Sequence, residues 1–144
     1  MITKAGVPDC AAAAGLALAL WPNHTLAELQ DELSSLIQRE DAAVFLAWEN
    51  GMPIAFAQCQ LRRDYVEGTE SSPVGYLEGI FVTEPRRKCG YARQLLSACE
   101  AWAKGRGCQE FASDCELENR HSLAFHLSAG FQEANRIICF VKKL

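Results

Sequence analysis

Residues 76–96 read YLEGIFVTEPRRKCGYARQLL, and they decide the fold because they join an apolar strand to a basic turn and then to a helix. The turn carries Arg87 and Lys88, and Gly90 can adopt backbone angles that point successive N–H groups to one side. A helix over residues 91–103 would leave its first N–H groups unpaired, with the positive end of its dipole facing the turn. This arrangement predicts a site for a phosphorylated ligand.

The segment lacks the glycine spacing of the common nucleotide-binding loops. Neither G-x-x-x-x-G-K-[ST] nor G-x-G-x-x-G occurs in the sequence. Nucleotide hydrolysis and Rossmann-type dinucleotide binding are therefore disfavoured. On spacing alone, an ordinary strand-to-helix connection with a solvated basic turn remains an open alternative.

Size and composition favour a single domain over residues 1–144. The hydrophobic content of 49% is sufficient for one core, and the net charge of −4 suits a cationic substrate better than nucleic acid. No segment has the pattern of a signal peptide or a membrane span, so we expect a cytoplasmic protein that does not bind membranes. Seven cysteines without a C-x-x-C pair indicate neither a metal site nor a disulfide framework.

Local sequence signals predict an α/β chain of the α+β kind. Thr25 and Glu28 form a capping box at the start of a helix, and Asn50-Gly51 is a strong hairpin signal. The predicted strands cover residues 1–4, 43–48, 54–62, 76–82, 109–114 and 131–141, the last as a strand or strand pair. The predicted helices cover residues 7–20, 91–103 and 119–129, together with the capped helix, and residues 64–74 form a polar loop.

The turn at residues 87–92 matches R-x-x-G-x-G/A and resembles the signature of the GNAT superfamily of N-acetyltransferases, in which it also lies between a strand and a helix. The order of the predicted elements resembles that family as well. The resemblance implies the GNAT fold, a mixed central β-sheet flanked by helices, and acetyl-CoA as co-substrate without a metal. The cofactor-binding residues that it implies are Arg87, Lys88, Cys89, Gly90, Tyr91 and Ala92 for the pyrophosphate, and Ile80, Phe81, Val82 and Asn119 for the pantetheine arm.

Five further groups of residues resemble one branch of the superfamily, the aminoglycoside 6'-N-acetyltransferases. They are Trp21-Pro22, residues 64–66 with 71–73, residues 77–82, residues 112–114 with Glu118-Asn119, and His126 ahead of Gly130-Phe131. The resemblance implies a homodimeric antibiotic-resistance enzyme that transfers acetyl directly to the 6'-amine. It assigns acceptor contacts to Trp21, Tyr65, Glu78, Asp114 and Asn135. Relatives can carry an acid near Asn135, whereas here the nearby acid is Glu133, so the range of drugs is expected to differ.

The chemistry of acetyl transfer gives three of these residues catalytic roles. An amine with a pKa of roughly 8 to 10 needs a carboxylate to hold its ammonium form and accept its proton, and Glu78 and Asp114 are the candidates. His126 stands where many GNAT enzymes have a tyrosine, so it is a candidate proton donor to the leaving thiolate, with packing at a helix end as the alternative. The resemblance also implies a strand bulge around residues 80–82 whose backbone amide polarises the carbonyl.

Two other functions stay open on the sequence. A GNAT enzyme could acetylate a polyamine, a metabolite amine or a protein amine, and it would keep the basic turn while using its acceptor residues differently. A non-catalytic acyl-CoA-binding domain would keep the fold without transfer. A Cys89 or Cys115 nucleophile is disfavoured because no histidine is adjacent in sequence to activate it.

Overall fold

The computed structural model describes all 144 residues, which form one five-stranded sheet and four α-helices. The elements are β1 (Ile2–Lys4), α1 (Cys10–Leu20), α2 (Leu26–Ile37), β2 (Ala42–Glu49), β3 (Met52–Arg62), β4 (Val74–Val82), α3 (Tyr91–Gly105), β5 (Phe111–Ser113) and α4 (Arg120–Ser128). The strand order is β1-β2-β3-β4-β5, antiparallel except for the parallel pair β4-β5. The predicted mixed sheet flanked by helices is confirmed.

Two local signals form the structures that the sequence predicts. The Thr25 side chain accepts a hydrogen bond from the Glu28 amide at 3.2 Å, and the Glu28 carboxylate accepts one from the Thr25 amide at 3.3 Å. This capping box starts α2. Asn50 and Gly51 have φ values of +51° and +76°, as the tight turn between β2 and β3 requires.

Each face of the sheet is covered by helices through its own apolar cluster. One face packs on α3 through residues such as Ala57, Cys59, Leu95 and Cys99. The opposite face packs on α1 and α2 through a second cluster: Ala13, Ala14, Leu16, Ala17, Leu29, Leu33, Val44, Leu46 and Phe56. None of the helices is long and apolar enough to cross a bilayer.

Strand β4 separates from β5 partway along its length. It pairs with β5 only from Gly75 to Leu77, and beyond that point it continues to Val82 without a partner on the β5 side. On the β3 side the pairing skips Glu78, so this residue forms a β-bulge opposite Gln58 and Cys59. The resemblance implied a bulge around residues 80–82, and that position was wrong because the extra residue lies earlier in the strand.

The C-terminal arm, residues 131–144, forms no strand, so the strand predicted over residues 131–141 was wrong. The exposed fractions of Ile138, Phe140 and Val141 are 80%, 91% and 95%. Strand propensity favoured the prediction, but a strand also needs a neighbour to hydrogen-bond with, and this arm pairs with none. The predicted strand over residues 109–114 is confirmed only for its centre, Phe111–Ser113.

Candidate active site

The N-terminus of α3 presents a set of free backbone amides beside the end of β4. Gly90 is the N-cap residue at φ +88°, and no side chain caps the helix. The amides of Tyr91, Ala92 and Arg93 therefore lack an intrahelical acceptor. A Cβ on Gly90 would come within 4 Å only of the Gln94 Nε2 atom, at 3.9 Å, so the space above the turn is open. Residues 87–92, here called the amide cradle, thus fit a pyrophosphate.

Basic side chains hold the amide cradle in place. The Arg87 Nε donates to the Val82 carbonyl at 3.1 Å, and the Arg93 Nη2 donates to the Ser128 carbonyl at 2.8 Å. Arg86 forms an ion pair with Glu49, whose hydrogen bond raises the pKa of the guanidinium. Lys88 is exposed at φ +59°, and its ammonium is available to an anionic ligand.

Gly90→Ala is expected to weaken acetyl-CoA binding about tenfold, measured by isothermal titration calorimetry. A residue with a Cβ at this φ costs about 1–2 kcal/mol, and relaxation of that strain turns the amides away from the position that the ligand needs. Gly107→Ala is a matched control, because Gly107 also has φ +88° and lies in open space beyond the other end of α3. Equal affinities of the two variants for acetyl-CoA would contradict the assignment.

A second set of side chains lies where β4 and β5 separate, and we call Arg62, Tyr76, Glu78 and Asp114 the carboxylate cluster. The Arg62 guanidinium donates to both Glu78 oxygens, with Nε–Oε1 at 3.0 Å and Nη2–Oε2 at 2.9 Å. Its Cζ lies 3.5 Å from the centre of the Tyr76 ring, and the Tyr76 hydroxyl donates to Asp114 Oδ2. The two carboxylates that the sequence singled out are thus joined in one cluster.

The Tyr76 hydroxyl is a permanent donor in this cluster. Burial and, after it, the hydrogen bond to Asp114 raise the pKa of Tyr76 well above its ordinary value near 10. The hydroxyl therefore stays protonated at physiological pH. It holds the Asp114 carboxylate by one oxygen and leaves the other oxygen open to a further partner.

Trp21 lies against the same part of β4. A Cβ on Gly79 would come within 2.6 Å of the Trp21 ring, so only glycine allows the indole to approach the strand next to Glu78. The ring also meets Phe56 edge to face, with centroids 6.0 Å apart. Trp21 therefore packs against the sheet, and its contact with the acceptor stays a prediction. Tyr65 is 78% exposed on the loop after β3.

The loop over residues 64–73 is fixed at two places. Glu110 accepts hydrogen bonds from the Ser71 hydroxyl and from the Glu70 amide, and these bonds lower the pKa of its carboxyl. The Asn135 Nδ2 donates to Glu67 Oε1 at 2.6 Å, which brings the start of the C-terminal arm to the loop. Glu133, the acid near Asn135, is paired with Arg136, which lowers the pKa of the Glu133 carboxyl.

Asn119 caps α4 at the open side of the sheet. Its Oδ1 accepts from the Ser122 amide at 3.1 Å. The Nδ2 group is not used by the cap and stays available as a donor, as the contact with the pantetheine arm implied by the resemblance would require.

His126 links α4 to β5 through Nε2, while Nδ1 bonds within α4. Nδ1 lies 2.6 Å from the Ser122 carbonyl oxygen, which can only accept, so Nδ1 carries a hydrogen. Nε2 lies 2.8 Å from the Ser113 hydroxyl, and the ring packs 5.1 Å from the Phe131 ring. These contacts favour a role in joining the two elements over donation of a proton to a leaving thiolate.

His126→Phe is expected to keep kcat within about twofold while lowering the melting temperature by about 3–8 °C. The ring contact is retained, and the loss of two hydrogen bonds costs about 1–2 kcal/mol in a domain of this size. Calorimetry and steady-state kinetics check the two effects. A large fall in kcat at an unchanged melting temperature would instead assign proton transfer to His126.

Sequence reasoning missed Arg62. The available signal was its place at the end of β3, two residues beyond Gln60, where it continues the alternation of the polar residues Gln58 and Gln60. Which carboxylate an arginine meets depends on strand register, and the sequence did not give the register of β3 against β4.

The fold, the amide cradle and the carboxylate cluster are those expected of an acyltransferase, and comparison with known proteins agrees. The sequence profile of the acetyltransferase (GNAT) family matches residues 13–131. The chain belongs to this family. It is 44% identical over 131 residues to an aminoglycoside N(6')-acetyltransferase type 1 of Acinetobacter genomosp. 13, covering 90% of this chain and 89% of the relative.

Two further comparisons point to the same enzymes. The aminoglycoside N(6')-acetyltransferase type 1 of Stenotrophomonas maltophilia is 42% identical over 140 residues, covering 96% of this chain and 90% of that protein. The solved structure of AAC(6')-Iy in complex with the bisubstrate analogue CoA-S-monomethyl-acetylneamine is 37% identical. It superposes with a TM-score of 0.96, covering 100% of this chain and 98% of that one.

Proposed function

We infer that this single-domain chain is an aminoglycoside 6'-N-acetyltransferase, which transfers acetyl from acetyl-CoA directly to the 6'-amine of the antibiotic. The observation that carries the inference is the placement of two sites along one strand, β4. The carboxylate cluster lies at its middle, around Tyr76 and Glu78, and the amide cradle lies beyond its last residue, Val82. The amide cradle fits an anionic pyrophosphate, and the carboxylate cluster fits an ammonium group. The names of the relatives, and the bisubstrate analogue in AAC(6')-Iy, support the same reaction.

Within this reaction the residues divide into two groups. The cradle amides and Lys88 hold the pyrophosphate, while the part of β4 from Ile80 to Val82, which lacks a β5 partner, is free to line the pantetheine arm. On the acceptor side, Asp114 receives the 6'-ammonium and accepts its proton, directly or through water. The Glu78 bulge exposes backbone amides next to the reacting carbonyl.

A panel of acceptors tests the inference. The purified protein is mixed with acetyl-CoA and with neomycin, tobramycin, kanamycin, spermidine, lysine or a lysine-rich peptide, and thiol release is followed with a chromogenic disulfide. We expect rapid release with the aminoglycosides. Rapid release with another amine and none with the aminoglycosides would assign a different acceptor, and CoA binding without release for any amine would indicate a non-catalytic domain.

We also propose that the enzyme is a homodimer, with the C-terminal arm packed on a second copy. The apolar side chains of the arm are exposed in the single chain, including Ile137 at 69% and Phe140 at 91%, and exposed apolar patches mark interaction surfaces. Light scattering after size-exclusion chromatography is expected to give twice the chain mass of 15.9 kDa, and Phe140→Asp is expected to give the single chain. A wild-type protein that is monomeric at micromolar concentration would contradict this.

A cytoplasmic location is part of the same proposal. The reaction draws on acetyl-CoA, and all seven cysteines of the chain are unpaired, as in a reducing compartment. The net charge of −4 supports a cationic acceptor rather than nucleic acid as the partner.

A further inference from the structure

Arg62 occupies the centre of the carboxylate cluster, where it contacts both Glu78 and Tyr76. It is the last residue of β3, and its side chain, 39% exposed, contacts Tyr76 and Glu78 of β4. The guanidinium holds Glu78 with two hydrogen bonds of 3.0 and 2.9 Å and lies 3.5 Å from the centre of the Tyr76 ring. Only a planar, forked cation can make both contacts at once.

The two carboxylates of the cluster differ in whether a cation compensates their negative charge. Glu78 has an 18% exposed side chain, and both of its oxygens are engaged by Arg62. Asp114 forms no ion pair, and its partner is the neutral hydroxyl of Tyr76. An incoming ammonium therefore finds an uncompensated negative charge at Asp114 and a compensated one at Glu78.

Arg62 also affects Asp114 through Tyr76, which contacts both residues. The ring that it covers is the ring whose hydroxyl donates to Asp114, and Tyr76 is itself buried. Loss of the guanidinium would free Glu78 and uncover the Tyr76 ring, so the donor to Asp114 would be held less firmly. Both carboxylates thus depend on one side chain that contacts neither the acceptor amine nor the cofactor in the roles assigned above.

We propose that Arg62 is a positioning residue, which neutralises and orients Glu78 and braces Tyr76, so that Asp114 is the carboxylate left to receive the acceptor ammonium. This proposal rests on the proposed function, since it concerns the acceptor site of that reaction.

The test measures steady-state kinetics of Arg62→Met and Arg62→Lys with neomycin and acetyl-CoA, next to the wild type. Met keeps the unbranched stem and removes the charge, whereas Lys keeps the charge and removes the fork. We expect Arg62→Met to lower kcat about 10- to 30-fold with unchanged acetyl-CoA affinity, and Arg62→Lys to fall between it and the wild type. Arg63→Met, at the exposed neighbouring position, is the control and is expected to stay within about twofold.

The double variant Arg62→Met with Glu78→Gln separates positioning from simple loss of stability. Glu78→Gln alone leaves the guanidinium unpaired beside the acceptor, so adding Arg62→Met removes that repulsion and is expected to lower the KM for neomycin below that of Glu78→Gln. Losses that merely add would overturn the proposal, because two side chains that act independently on the acceptor site give additive losses.

The remaining outcomes distinguish this proposal from the proposed function. If the wild type acetylates neomycin and Arg62→Met has the same kcat and KM, the role of Arg62 is wrong and the function stands. If the wild type acetylates no aminoglycoside, the function fails and the role of Arg62 fails with it. Thermal melts identify a misfolded Arg62→Met, in which case a wild-type kcat and KM for Arg62→Lys would overturn the proposal.

Discussion

Asp114→Asn is expected to lower kcat for aminoglycoside acetylation by about 100-fold or more while the affinity for acetyl-CoA stays the same. A carboxylate that accepts a proton from the reacting amine contributes about 100- to 10,000-fold to such reactions, and an amide cannot take that proton. Because the Asn oxygen can still accept from the Tyr76 hydroxyl, the geometry of the site is retained. Stopped-flow or steady-state thiol release with neomycin measures the effect.

Glu116→Gln is the matched control for this variant. Glu116 is an exposed carboxylate two residues further along the same connection and contributes only its backbone carbonyl to the structure, as the acceptor from the Asn119 amide. We expect its kcat to match that of the wild type. A kcat for Asp114→Asn close to the wild-type value would remove Asp114 from proton transfer.

Glu78→Gln is expected to lower kcat/KM for neomycin about 30-fold, mainly through a higher KM. The substitution leaves the Arg62 guanidinium without its anionic partner in a half-buried site, and an unpaired charge beside a cationic ligand is unfavourable by about 2 kcal/mol or more. The amide cradle lies beyond the last residue of β4, whereas Glu78 lies at the middle of the strand, so acetyl-CoA affinity is expected to remain at the wild-type value.

Asp41→Asn provides the control for breaking an arginine–carboxylate pair elsewhere. Asp41 also binds an arginine with two hydrogen bonds, from Arg39 at 2.8 and 2.9 Å, and the hydrogen bond from Arg39 holds the pKa of the Asp41 carboxyl below its ordinary value. This pair is exposed and outside the active site, so its loss is expected to leave kcat/KM unchanged. An equal loss of kcat/KM in Asp41→Asn and Glu78→Gln would mean that the effect of Glu78→Gln does not come from the position of Glu78 in the active site.

Local signals in the sequence were sufficient for the elements that surround the site. The capping box at Thr25 and the turn at Asn50-Gly51 are each decided by hydrogen bonds and backbone angles within a few residues, and both formed as predicted. The basic turn before α3 is local in the same sense, since Gly90 adopts the positive φ that its position requires. These features could be predicted because no distant residue decides them.

Features that depend on distant residues could not be predicted in the same way. The bond between Arg62 and Glu78 depends on the register of β3 against β4, and the bulge at Glu78 is part of that register. The C-terminal arm has the apolar residues of a strand, yet strand formation depends on a partner outside its own sequence. The resemblance to known enzymes named Glu78 and Asp114, whereas the structure adds the arginine and tyrosine that make them different from each other.

A comparison of neomycin with paromomycin as acceptors shows whether the 6'-amine is the group that is acetylated, because the two antibiotics differ only in carrying an amine or a hydroxyl at the 6' position. Each is incubated with the purified protein and acetyl-CoA, thiol release is followed, and the acetylated nitrogen of the product is located by NMR. We expect rapid stoichiometric transfer to the 6'-amine of neomycin and none to paromomycin. Equal turnover of both compounds, or acetylation of neomycin at another nitrogen, would rule out 6'-N-acetyl transfer by this enzyme.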